Sequence, residues 1–368
     1  MPSSTILVPI FGVALAAIAT AQAAEPVERR LYVAVPGVRN YLEHGGHGVL
    51  VFDIDHGHRF LKRIPCAGLN AEGQPDNVKG ICASSESGLL HIATLRTLQC
   101  LDLRTEKLLW EKPFPGGCDR MALSPAGTTI YLPTLEKDEW HMVEARTGNI
   151  RGSISPNSGA HNTVWGPKGL GVYCAGLRSP RLTVADPKEP RIVREVGPFS
   201  APIRPFTVNG AESLVFACVN DLLGFEVGDL RAGKRLHRVE IAGVPMPVKR
   251  HGCPSHGIAL TPDESEVWVA AAHDRKLHVF DATVMPPRWK QAIDVRDEPG
   301  WITLSIDGTL AWPSTGEVID TASKRLLATL TDETGRPVQS EKLLEINFSN
   351  GRPIAAGNQF AVGRVTAP

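Results

Sequence analysis

Short apolar runs recur along the chain, each closed off by polar turn residues. Examples lie over residues 90–95, 130–133, 172–175, 215–219 and 267–271. None is long enough for a helix, and their β-branched and aromatic content reads as buried strand. Each run follows a turn of Ser/Thr/Gly-Pro-x-Gly type, as in SPAG ending at Gly127 and GPKG ending at Gly169. A second strand then ends in an acidic residue ahead of a polar hairpin, as in KLHVFD ending at Asp281.

This unit repeats. Its turn falls at Gly88, Gly127, Gly169, Glu212, Ser265, Gly308 and Gly351, a spacing of roughly 40 residues that matches four strands per propeller blade. The step into Ser265 is the longest, which places an insertion before the sixth blade. A four-stranded sheet cannot bury both faces alone, so the blades must stack around an axis. The prediction is an all-β, seven-bladed propeller of four-stranded antiparallel blades. Residues 31–35, 49–54 and 60–64 supply three strands with no inner strand before them, and residues 343–349 offer the missing one. The ring is therefore expected to close through a blade shared by both chain ends.

Repeats such as SPAGTTIYLP and PSHGIALTPDESEVWVAAAHDRKLHVFD resemble the YVTN-type, WD40-like bacterial propellers over nearly all of the mature chain. The LDLRTEKLLWE stretch adds a likeness to quinoprotein repeats of the amine dehydrogenase β-chain type. Glu106 stands where that repeat has Gly, however, and the other blades lack its Trp, so no quinone is implied. The resemblance implies a fold; the superfamily hosts enzymes, cofactor carriers and scaffolds alike.

In that architecture the inner strands begin at the top face. Counting back from each turn gives Lys79, Asp119, His161, Arg204, His256, Gly300 and the region over residues 343–345. Five ionisable side chains thus share one register around the channel mouth. The loops above add His47 from YLEHGGHG, His251 and Cys253 from HGCPSH, and His273. Neutral imidazoles ligate zinc, copper or iron, which makes His251, His256 and His273 candidate metal ligands, although no HExxH motif is present. His256 and His161 are the candidate catalytic bases, since an imidazole can activate water or position an ester, and either could serve as an axial haem ligand. No CxxCH motif is present, so the cofactor is left open.

Composition narrows the function classes. Lys and Arg number 39 and so do Asp and Glu, so no overall field draws the chain to nucleic acid. The apolar run over residues 6–19, followed by TAQAA, reads as a signal peptide over residues 1–24, leaving one propeller domain over 25–368 that is periplasmic or secreted. No transmembrane segment is expected after cleavage, and a monomer is expected. The 7 cysteines are an odd count for an oxidising compartment. Three functions fit: binding of a small molecule, cofactor or protein partner at the top of the channel; a lactonase-like hydrolase or lyase using the mouth His and Arg residues; or a structural interaction scaffold.

Overall fold

The computed structural model describes residues 26–65, 68–244 and 253–364, together with Met1. Apart from Met1, the expected leader lies outside the described residues, as do Cys66 and His251. The described chain is a ring of seven antiparallel sheets. Blade 1 joins Glu28–Val35, Gly48–Asp53 and Arg59–Ile64 to the C-terminal Leu343–Ser349, so both chain ends clasp one sheet. The inner strands of blades 2 to 7 are Val78–Ser84, Ala122–Leu123, Ala160–Trp165, Ile203–Val208, Ser255–Leu260 and Ile302–Leu304.

The apolar runs of the sequence are the second strands, buried along their whole length, as in Leu89–Thr94 and Glu266–Ala271. They are covered on both faces by neighbouring blades, which is why they read as continuous rather than alternating. The outermost strands are largely exposed, as in Ile192–Val196 and Arg288–Asp294. Seven apolar clusters fill the seven interfaces between blades.

At the bottom face, the turns between first and second strands place Gly127, Gly169 and Gly308 at φ near +70°, a conformation glycine adopts at little cost. Blades 5 and 6 carry Glu212 (φ 50°) and Glu264 (φ 59°) at the same point. Each side chain there binds the preceding blade's turn: Glu212 Oε1 accepts from Lys168 and Leu170 N–H, and Glu264 accepts from Gly210 N–H. Those bonds offset the left-handed backbone and tie blade to blade.

The seventh turn differs from the expected pattern. Glu28–Val35 already fills the second-strand place beside Leu343–Ser349. Asn350 (φ 50°) and Gly351 (φ 70°) therefore fold the chain back on the other edge, with the Asn-Gly chemistry of a tight hairpin. The extra strand Arg352–Ala356 lies on the channel side of blade 1. Beyond it, residues 357–363 cross the bottom of the channel. Gln359 Oε1 accepts from Ile81 N–H, and its Nε2 donates to Met121 O. Ala361 O accepts from Leu260 N–H and Thr207 Oγ1, and Gly363 N–H donates to Val208 O. Gln359 and Phe360 are buried, and the channel is closed below.

Candidate functional site

The tops of four inner strands carry a local irregularity. The register of strand one against strand two slips between Val78 and Gly80, Ala160 and Asn162, Ile203 and Phe206, and Ser255 and Gly257. Lys79, His161, Arg204 and His256 are the extra residues in these slips. A bulge of this kind frees a residue from the ladder and re-aims its side chain. In blade 5 the slip also holds Pro205, which has no N–H to offer a partner strand. In blade 3 the equivalent residue is Asp119, whose N–H donates to Pro133 O at 2.9 Å.

All five side chains line a single cavity of about 170 Å3 at the top of the channel. Asp119 is its centre of charge. His161 Nδ1 lies 2.7 Å from Asp119 Oδ2, and Lys79 Nζ lies 3.4 Å from Oδ1. Burial works against the charge on Asp119, but Lys79, His161 and Arg120 outweigh it and hold the carboxyl at about 2. A carboxylate accepts from a ring N–H, so Nδ1 of His161 carries a proton.

A second cluster faces the first. Glu341 accepts from Arg120 Nη2 and from Lys342 Nζ, each at 2.9 Å, and Lys342 Nζ also donates to Gly37 O at 2.7 Å. Burial opposes the Glu341 charge, yet Lys342, Arg120 and His256 hold it far below the ordinary carboxylate range. Burial lowers Lys342 to about 8, with Arg120 and Lys79 adding to the shift and Glu341 resisting it. The Arg120 guanidinium stacks 3.5 Å over the Trp301 ring, and Trp301 Nε1 donates to Gln359 O at 2.6 Å. The mouth is thereby joined to the segment that plugs the channel.

Gly300 occupies the ring position in blade 7. A Cβ there would stand 2.4 Å from Glu341 Oε1 and 3.7 Å from His256 Nδ1, so the absence of a side chain is what lets blades 6, 7 and 1 converge. The Gly300 carbonyl lies 3.2 Å from His256 Nδ1.

The structure brings Lys79, Asp119, His161, Arg204 and His256 together and leaves two expected members apart. His47 is outside the cavity lining; Arg63 Nη1 donates to its carbonyl, and burial with the Arg63 charge lowers its pKa. His273 is also outside the lining, and its Nε2 is buried without a partner among the described residues. Among the described residues no group of three or more His, Cys, Asp and Glu side chains is arranged to hold a metal; of the proposed ligands His251, His256 and His273, the first is not described. Blade 1 contributes Glu341 and Lys342 rather than residues 343–345. Glu345 is buried against Arg29 and the Ile306 N–H of blade 7. The count misplaced this blade because its turn belongs to the added hairpin.

Sequence reasoning also missed Arg120, Trp301 and Asn77, which line the cavity. Arg120 directly follows a residue already singled out, and that adjacency was the available signal. All six described cysteines are free thiols, five of them buried. No helix among the described residues is long and apolar enough to cross a membrane.

No family model matches the chain, and no curated protein matches it.

Proposed function

We propose that this propeller binds a small ligand in the blind cavity at the top of its channel, held by Lys79, Asp119, His161, Arg204 and His256. The observation that carries this reading is their convergence: one side chain from each of five blades reaches a single cavity. A concave site with a few convergent polar groups and shifted ionisation is the usual form of a small-molecule site. The plug formed by residues 357–363 supports it further, because a closed floor turns a channel into a pocket. The YVTN-like repeats and the apolar N-terminal run support an exported binding protein.

A thermal-shift screen of the full chain against small polar compounds tests the reading, with each hit repeated on His161→Ala and Arg204→Met. Hits that stabilise the parent and not the variants support it. Hits that stabilise all three proteins equally place binding elsewhere.

A second reading is hydrolysis of an ester or lactone, favoured by the Asp119–His161 hydrogen bond. A carboxylate on Nδ1 orients an imidazole and stabilises its protonated form, leaving Nε2 to take a proton from water. Its test is turnover of a lactone panel, lost in His161→Ala with the fold intact.

A further inference from the structure

Basic groups in the cavity outnumber the carboxylates available to them. Asp119 serves both Lys79 and His161, and Glu341 serves both Arg120 and Lys342. These two carboxylates thus meet three cationic side chains, Lys79, Arg120 and Lys342, before either imidazole takes a proton. Buried charge is stable only when paired, so the site has room for one more negative charge.

The unused donors belong to two residues in contact, Lys79 and Arg120. Among the described residues Lys79 Nζ has a single partner, Asp119 Oδ1 at 3.4 Å, and an ammonium carries three hydrogens. Arg120 uses Nη2 on Glu341 and Nε on the carbonyl of Lys79 itself; its Nη1 makes no hydrogen bond among the described residues. Trp301 holds the guanidinium plane from beneath, and a fixed fork of this kind suits a carboxylate. On the same wall, two residues before Lys79, the Oδ1 of Asn77 is buried with no partner among the described residues. It is an acceptor, and a bare carboxylate has no hydrogen to give it.

We infer that the ligand is a small hydroxy-carboxylate, its carboxylate between Lys79 and Arg120 and a hydroxyl donating to Asn77 Oδ1. This rests on the cavity being a ligand site, as proposed above. A neutral polyol would satisfy Asn77 but leave the charge excess. A simple fatty acid would satisfy the cations but leave Asn77 bare. A cation would meet the basic excess directly.

The test is isothermal titration calorimetry of the full chain with glycolate, glycerate and gluconate, set against glycerol, propionate and choline. At least one hydroxy-carboxylate is expected to bind tenfold or more tighter than both glycerol and propionate. Lys79→Met should remove at least tenfold of that affinity. Asn77→Ala should narrow the preference over propionate. Arg120→Met risks the fold through Glu341 and Trp301, so Lys79 and Asn77 carry the comparison. Equal binding of glycerol, or hydroxy-carboxylate affinity indifferent to Lys79, overturns the inference. If glycerol or choline binds best and His161→Ala abolishes that binding, the cavity reading stands and the ligand class falls. If no compound of any charge binds, the cavity reading falls with it.

Discussion

His161 Nδ1 of blade 4 lies 2.7 Å from Asp119 Oδ2 of blade 3, so one hydrogen bond joins two blades at the channel mouth. His161 sits where the inner strand of blade 4 slips its pairing, and Asp119 sits just ahead of the inner strand of blade 3. The contact depends on the angle between blades, which the apolar cluster beneath them sets. Core packing therefore positions a chemical pair that neither blade could form alone.

Asp119 links this site to acid stability. Its folded pKa of about 2 lies below the unfolded value of roughly 3.9. A depressed carboxyl contributes stability that is present above the unfolded pKa and lost as pH falls through the folded one. Glu341 is shifted in the same direction. The melting temperature is expected to fall between about pH 4 and pH 2, more steeply in the parent than in Asp119→Asn. At neutral pH the variant should be less stable by about 3 kcal/mol, because Lys79 loses its partner. Thermal melts followed by circular dichroism over that pH range check both expectations.

Lys342 acts with the opposite sign. Its folded pKa of about 8 is below the unfolded value of about 10.4, so the folded state bears a cost for the charged lysine at and below neutral pH. That cost is relieved as pH rises from about 8 to about 10.4. Removing the ammonium in Lys342→Met is expected to abolish the relief, which the difference between parent and variant melts across this range measures.

The channel plug is testable at Gln359. Its side chain satisfies the Ile81 N–H and the Met121 carbonyl inside the ring. Gln359→Leu leaves both buried groups without a partner, a loss of about 2 to 6 kcal/mol at 1 to 3 for each group. Urea unfolding checks the magnitude. Hydrogen exchange checks the mechanism, with faster exchange expected at the amide of Ile81.

Ring closure rests on the pairing of Glu28–Val35 with Leu343–Ser349. Leu344 is buried in the cluster between blades 1 and 2, and Leu344→Ala should cost about 2 to 5 kcal/mol. Leu327, on an outer strand, is 57% exposed, and Leu327→Ala should change stability by about 0.5 kcal/mol or less. Comparing the two by chemical denaturation separates the clasp from a general loss of apolar surface.

The fold was legible because a turn signature every 40 residues or so fixes the blade, and the unpaired strands near the N-terminus announce the clasp. The ring residues were legible for the same reason: a constant offset from Gly127, Gly169 and Glu212 reaches the same height in each blade. The offset failed in blade 1, where Asn350 and Gly351 form a hairpin to an added strand instead of the usual turn. Contacts that depend on distant segments left no local sign. Gln359 reaches residues more than two hundred positions away, and Arg120 owes its place to Trp301 and Glu341. The loop histidines His47 and His273 sit at the predicted ends of their strands, but sequence position alone does not say toward which side a loop side chain turns.

The most direct test of the account is a calorimetric titration of whichever small compound most stabilises the full chain, repeated on Lys79→Met, Asp119→Asn, His161→Ala, Arg204→Met and His256→Ala. The account predicts a loss of tenfold or more in affinity for most of these variants, with each still folded by circular dichroism. Unchanged affinity in all five would contradict it.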